Sequence, residues 1–451
     1  MTRKIAIVGA STEGFIQLAQ LLKYRRDDGI DTFPDDEYVL IHDPNIVFDK
    51  LTTGVGQALH EVLEREIYFT KSWLQKYCDG VDNCGYKYVG WGNDTEKNFM
   101  LTGCGMSFDM VKFRQMFLDD GGLIFGYGVK IIEQVIDSFE PGEDKCIING
   151  EEYDYVIDCG ERQPLKWDDD YMNPSVQFTN SYVSIEKPQK GDFSFIFEYA
   201  AKYGHVIGMP FANGQRWTYC YDNNINTEEE IREDFATIFP DEDITQYESS
   251  TYSWRPRVSN YVVHPEYKRY MRNGVALIDI EPSLSRSQFA EIIGDLICPY
   301  IFEEGDRQRE ENNQHLLLNY QGFVLSTLQA FMSFSYQYGS RHESEFWDRV
   351  ESEAADYLDS PVFTHPTVFP GKSFRNQILN DDFREEDYRI VHHRQEGRGA
   401  FGGGLPFNWM NNSNCFYEFA IGLGAPYSSY MSTIGSVQPP EEYGTIGYDI
   451  V

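Results

Sequence analysis

The sequence predicts an α/β chain that opens on a Rossmann-like unit, and three stretches carry that prediction. Lys4-Ile5-Ala6-Ile7-Val8 is a short apolar run that ends in Gly9-Ala10-Ser11-Thr12-Glu13-Gly14. A helical pattern follows at once, with Phe15, Leu18, Leu21 and Leu22 on one face. Tyr38-Val39-Leu40-Ile41 is a second apolar run, ending at His42-Asp43-Pro44, and Tyr155-Val156-Ile157 is a third, ending at Asp158-Cys159-Gly160. Apolar runs that stop at glycine- or acid-bearing turns, with a helical period after the first, are how buried strands joined by helices read.

The opening turn has a physical use. A strand that feeds a helix through glycine gathers main-chain N–H groups and the positive helix end at one point, where a pyrophosphate can sit. Of the pattern G-x-G-x-x-G, Gly9 and Gly14 fill the outer positions and Ser11 the middle one, with Thr12 beside it. Glu13 puts a negative charge in the turn, which repels phosphate yet suits a helix N-terminus. The same residues also fit an ordinary opening βα unit. Asp43, at the end of the second strand, is placed to grip a ribose or to cap the turn before Pro44. In Thr53-Gly54-Val55-Gly56-Gln57-Ala58, the two glycines let a backbone strap approach a flat ligand, or simply turn the chain.

Composition narrows the function classes. With 451 residues the chain is long enough for two interlocked domains. Its 72 acidic against 38 basic residues give a net charge of −34, which disfavours nonspecific attachment to nucleic acid or to an anionic membrane. The 8 cysteines form no CxxC pair, so reduced thiols in a cytoplasm are expected. The 9 histidines include no HExxH, and no metal site is predicted. No uninterrupted apolar stretch has membrane-spanning length, and the first strand begins almost at the first residue, which predicts no signal peptide.

Along the rest of the chain, Gly85–Trp91 alternates as a strand, and Asp109–Asp119 predicts a helix that packs Met110, Phe113 and Phe117. Val129–Phe139 is β-branched and ends at Pro141-Gly142, and Cys146–Gly150 is predicted to pair through a turn with Tyr153–Gly160. His315–Tyr338 reads as a long aromatic-rich helical stretch. The tail Gln438–Val451 reads as an extended arm or as an interface segment such as a homo-oligomer uses.

Taken in order, these pieces resemble the flavin-dependent halogenases, a branch of the flavin-monooxygenase superfamily that halogenates tryptophan and related aromatics. His42–Ile46 and Gly54–Ala58 resemble that family's strand-two end and G-V-G-E-A flavin strap, and Gly85–Trp91 its G-I-R-F-x-x-W strand. Tyr155–Gly160 resembles its D-L-x-x-D-C-S-G element. Gly204–Pro210 with Trp217–Tyr221 resembles the frame of W-x-W-x-I-P, and Asn273–Asp279 the N-C-V-A-L-G segment beneath the isoalloxazine. Phe331–Trp347 resembles a late helix pair. The resemblance implies an FAD-binding core over residues 1–165, to which Asn273–Ile301 returns. It also implies a β-sheet substrate region over 166–272 and a helical, substrate-covering region over 302–451.

The resemblance further implies reduced FAD supplied by a separate flavin reductase, with oxygen and a halide as co-substrates. Hypohalous acid would then travel to a lysine that, with a glutamate, directs halogen onto an aromatic carbon. On this reading the cofactor residues are Gly9, Ser11, Thr12, Gly14, Asp43, Gly54, Val55, Gly56, Gln57, Asp158, Gly160 and Asp279. The sequence departs from the family at the chemistry. Asn83 stands where the family lysine would be; Lys87 lies four residues later on the same strand face, and Lys71 and Lys76 lie upstream. The family glutamate aligns with Leu284 or Gln288 depending on the gap, which leaves Glu281 or Glu291 to serve nearby. Ser285, Arg286 and Ser287, with Ser283, offer O–H and N–H donors and a charge for a halide, or a plain helix cap. His205 and Ile207 replace both tryptophans of W-x-W-x-I-P, which opens room for a different substrate or for ordinary monooxygenation. Phe346, Trp347 and Trp409 are rings that could line a substrate pocket or anchor a core. Release of hypohalous acid to an accessible aromatic would bias the reaction to bromide or iodide.

Overall fold

The computed structural model describes residues 3–27, 36–45, 51–53, 71–90, 96–125, 128–160, 164–166, 171–172, 174, 177–188, 195–211, 214–280, 286–302 and 342–358. Two compact units share the chain. The first comprises Met1–Val81, Met106–Asn173 and Pro256–Tyr320; the second comprises Asp82–Gly105, Pro174–Arg255 and Gln321–Val451.

In chain order the elements begin with β1 (Lys4–Val8), α1 (Thr12–Asp27), β2 (Glu37–His42), β3 (Leu51–Thr53), α2 (Lys71–Tyr77), β4 (Val81–Val89) and β5 (Glu96–Asp109). Then come α3 (Met110–Asp120), β6 (Val129–Glu133), β7 (Phe139–Glu140), β8 (Cys146–Ile148), β9 (Glu151–Tyr153), β10 (Tyr155–Asp158) and β11 (Tyr171–Met172). After these lie β12 (Ser181–Pro188), β13 (Phe195–Ala201), β14 (Gly204–Phe211), β15 (Gly214–Tyr221), α4 (Glu228–Ile238), β16 (Glu248–Ser253) and β17 (Arg257–Ser259). The last are β18 (Tyr270–Arg272), α5 (Gly274–Leu277), β19 (Ile278–Asp279), α6 (Arg286–Phe302) and α7 (Glu345–Leu358).

The first unit is built on a parallel sheet of order β18-β10-β1-β2-β6. This is the predicted Rossmann-like α/β core. Its central strands bury both faces, as a parallel sheet between layers must, and Ile5, Ala6, Ile7, Leu40, Ile41, Val156 and Ile157 are fully enclosed. Helix α1 is predicted to be amphipathic but is buried on all sides through its first ten residues, Gln17 and Gln20 included. The reason is a second partner. Helix α6 packs along it, with Gly294 leaving room for the Gln17 and Gln20 side chains, which a Cβ there would meet at 3.2–3.5 Å, and Phe302 stacking on Tyr24 at 5.6 Å.

Helix α3 begins as expected, one residue after its cap: the Asp109 carboxylate accepts the N–H groups of Val111 and Lys112 at 2.9 and 3.1 Å. Met110, Phe113 and Phe117 are buried, and Phe15 of α1 meets Phe113 edge-on at 5.1 Å. Two expectations are corrected. Val129–Phe139 is not one strand but β6 and the start of β7. The Cys146 segment pairs with Glu151–Tyr153 rather than with Tyr153–Gly160. Asn149 and Gly150, at φ 51 and 82°, make a two-residue hairpin that sets this register, and β10 is freed to join the parallel sheet.

In the second unit the strand order runs β16-β12-β15-β14-β13-β4, with β13 and β4 parallel and the other neighbours antiparallel. One face is covered by α4, which starts on a capping box made by Thr227 and Glu230. The layer between holds Trp217, Tyr219, Phe235 and Phe239. Gly208 is required there, because a Cβ at that position would lie 2.5 Å from the Trp217 ring. Among the described residues no helix is long and apolar enough to cross a membrane, and Cys78, Cys146, Cys159, Cys220 and Cys298 are free and buried.

Candidate functional site

Three chain segments meet at the C-terminal ends of β1 and β10, the place where an open parallel sheet holds its ligand. The first is the turn from Gly9 to Gly14. Gly9 is left-handed at φ 102° and donates its N–H to Ile41 O at 2.9 Å, which pins the end of β1 to β2. The Ser11 hydroxyl accepts the Gly14 N–H at 3.4 Å and its carbonyl accepts that of Phe15 at 3.1 Å, so Ser11 caps α1. The Thr12 hydroxyl donates to the Met110 sulfur at 3.5 Å.

The second segment is Asp158–Gly160. Asp158 is completely buried, and its carboxylate accepts the N–H groups of Gly160 at 3.0 Å and Leu165 at 2.6 Å and the Tyr270 hydroxyl at 2.9 Å. Burial pushes this carboxyl up from its ordinary value, against the pull of those bonds and of the Arg272 charge. Gly160 is left-handed at φ +48°, and a Cβ there would lie 2.9 Å from Ala276 N.

The third segment is the turn after β18. Asn273 donates its N–H to Asp158 O at 2.8 Å, and its side-chain oxygen accepts the Gly274 N–H at 2.7 Å as the cap of α5. Its amide group reaches back to Gln17 Oε1 at 2.7 Å and Ala290 O at 2.9 Å. Gly274, at φ +53°, presents a bare Cα to Glu13, so the first and third segments are in direct contact.

Arg272 stands behind these segments with no surface exposure. Its guanidinium donates to Ser259 Oγ and Lys166 O, both at 2.9 Å, and to the Tyr270 oxygen at 3.4 Å, and lies 4.2 Å from the rings of both Tyr171 and Tyr261. Sequence reasoning missed this residue, since a lone arginine in a short strand carries no local sign of burial.

The structure thus brings Gly9, Ser11, Thr12, Gly14, Asp158 and Gly160 together. Asp43 lies at the end of β2 as expected, but both of its oxygens are used within the fold, accepting Asn45 N–H and Ile136 N–H at 2.9 Å. Asp279 pairs with the buried Arg257 at 3.5 Å. Gly54, Val55, Gly56, Gln57, Glu281, Ser285 and Trp409 lie outside the described residues. Arg286 and Ser287 open α6, and Asn83 and Lys87 lie on β4, where Lys87 pairs in register with Phe197. Lys76 is exposed on α2, 4.7 Å from the Tyr77 ring.

His205, on β14, is 1% exposed, and burial pushes its pKa down to about 3. Burial, aided by the charge of Arg114 and opposed by Asp43, pushes His42 to about 4. Both values lie below the ordinary 6.5, so the unfolded chain takes up protons that the folded chain refuses. Their contribution to stability is complete above the ordinary value and is lost as pH falls below it. Urea unfolding at pH 7 and pH 5 should differ by about 2 kcal/mol for each histidine, and His205→Leu should remove about half of the combined loss.

Phe346 and Trp347 are core rings of the second unit, meeting edge-on at 5.1 Å. Trp347 is 1% exposed and donates its indole N–H to Ala201 O at 2.8 Å. Trp347→Phe should therefore cost about 1–2 kcal/mol in denaturant unfolding, the loss of one buried bond and some packing.

The fit to a dinucleotide is favourable in shape. The bare Cα atoms of Gly9, Gly160 and Gly274 line the junction, each at positive φ, and α1 points its N-terminus at it. Among the described residues no group of three His, Cys, Asp or Glu side chains could hold a metal.

No family model matches the sequence, and no curated protein does. Solved structures match along almost the whole chain. A tryptophan halogenase from Shewanella frigidimarina is 13% identical over 99% of this chain and 98% of its own, with a TM-score of 0.63. A tryptophan 6-halogenase from Streptomyces toxytricini is 12% identical over 98% of this chain and 100% of its own, at 0.62. A flavin-dependent halogenase from Brevundimonas is 11% identical over 95% of this chain and 99% of its own, at 0.60. The whole-chain match, with the converging loop ends of an open parallel sheet, establishes that this chain has the fold of the flavin-dependent halogenases.

Proposed function

We propose that the protein is a flavin-dependent, halogenase-like oxidoreductase that uses reduced FAD, oxygen and a halide on an electron-rich aromatic substrate. The observation that carries this reading is the junction of Gly9–Gly14, Asp158–Gly160 and Asn273–Leu277 in a fold shared, end to end, with flavin-dependent halogenases. The Gly9–Gly14 turn would hold the pyrophosphate, and the 158–160 and 274–277 backbones would flank the rest of the cofactor. When bound, reduced FAD supplies the two electrons that activate oxygen. The chain's own part is to orient that group, through glycines that admit close approach, and to keep water from it.

The flavin reductase is a functional partner from which reduced FAD arrives. A reactive lysine is supplied on this reading by Lys87, Lys71 or Lys76, an acid by Glu281, and a halide seat by Ser285, Arg286 and Ser287. A preference for bromide or iodide follows from halogenation by released hypohalous acid. Incubation with a flavin reductase, NADH, FAD and chloride, bromide or iodide, against a panel of phenols and indoles, should give halogenated products by mass spectrometry. Oxygenated products independent of halide would instead support a monooxygenase. That second reading is supported by the sequence resemblance alone, which puts His205 and Ile207 where the family has tryptophans; both are buried in β14.

A further inference from the structure

A carboxylate stands in the turn that would hold the pyrophosphate, and the fold makes a seat for it. Glu13 is in the first turn of α1 and is 8% exposed. A Cβ on residue 274 would lie 2.7 Å from its Cβ and 2.9 Å from its Cγ, so Gly274 clears the space that the Glu13 stem occupies. Gly274 is also fixed by the Asn273 cap, and Asn273 by Asp158, Gln17 and Ala290. Glu13 is therefore held between the phosphate turn and the α5 turn. Among the described residues no hydrogen bond or ion pair engages its carboxylate.

A carboxylate with no cation beside it repels a pyrophosphate. A divalent cation reverses the sign. Magnesium is bound typically by one or two carboxylates together with ligand phosphates and waters, rather than by an all-protein cage. That is what this turn offers: one enclosed carboxylate, with no group of three ligating side chains among the described residues.

We propose that Glu13 makes this a cation-assisted dinucleotide site, in which a divalent ion such as magnesium bridges the Glu13 carboxylate and the flavin pyrophosphate. The proposal rests on the flavin reading above. It is tested by titrating oxidised FAD, followed by quenching of flavin fluorescence, into the full-length protein in EDTA or in millimolar magnesium chloride. Glu13→Gln, which keeps the shape of the seat, and Glu13→Ala are titrated alongside, and unfolding curves confirm that each is folded. The wild type should bind at least tenfold more tightly with magnesium. Both variants should lose that dependence and bind in EDTA at least as tightly as the wild type does. Equal wild-type affinity with and without magnesium, or an undiminished magnesium effect in the variants, overturns the proposal and leaves the flavin reading intact. Failure of every protein to bind FAD under either condition overturns both.

Discussion

Gly14→Ala should break the opening turn and, on the proposed flavin reading, abolish flavin binding. An added Cβ would lie 1.8 Å from Gly9 O and 3.0 Å from Gly9 C, and the third nearest atom is Leu40 Cδ1 at 3.3 Å. The two closest obstacles are backbone and cannot rotate away. Gly9 is itself tied to Ile41, so the helix would have to withdraw from the sheet. Because α1 is buried on every side through Ala19 and Gln20, withdrawal exposes much of the core of the first unit. A loss of more than about 3 kcal/mol is expected, at the upper end of what single substitutions do. Gly121→Ala is the control: that glycine is left-handed at φ +68° with nothing within 4 Å, so only the backbone term of about 1 kcal/mol applies. Denaturant unfolding with flavin titration separates the two.

The second large effect is expected at Arg272. Arg272→Met keeps the length and removes the charge, taking one donor from Ser259 Oγ and one from Lys166 O and leaving Asp158 without the Arg272 charge. Taking one partner from a buried polar network costs about 3–5 kcal/mol, far more than a surface pair is worth. The loss should reach function as well, since the chain runs from Arg272 directly into Asn273, whose N–H is held by Asp158. Reduced stability together with, on the proposed flavin reading, flavin affinity weakened at least tenfold is the expected result. Arg272→Lys should recover little, because an ammonium cannot reach the serine, the carbonyl and the tyrosine at once from between two rings. Unaltered flavin affinity in a destabilised Arg272→Met protein would show that the arginine serves packing alone.

The contrast between Gly14 and Arg272 also explains what could be read in advance. The parallel core was legible because apolar runs at 4–8, 38–41 and 155–157 can hardly do anything but sit between layers. Gly9 and Gly14 were legible for the same local reason. Arg272 was not: β18 is three residues long, and burial of its arginine depends on Tyr171, Tyr261 and Ser259, distant in sequence. The seat of Glu13 depends on Gly274 in the same way. Asp43 illustrates an ambiguity that local sequence cannot resolve, since ribose contact and turn capping ask for the same residue at the same place, and only the Ile136 N–H reveals how its second oxygen is used.

Strand β18 pairs with β10 in the register Val156 to Tyr270, and the whole 174–255 segment of the second unit is threaded between them. On the ribosome, which delivers the chain from its N-terminus, β1, β2, β6 and β10 emerge long before their last neighbour. Until then the open edge of β10 carries unpaired main-chain groups and invites wrong partners. The intervening segment has time to fold on its own largely local hairpins, β13–β14 and β14–β15, which close quickly. The parallel sheet and the junction at its loop ends are therefore completed late in synthesis, after residue 277, and a nascent chain halted earlier would be a client for chaperones rather than a finished fold.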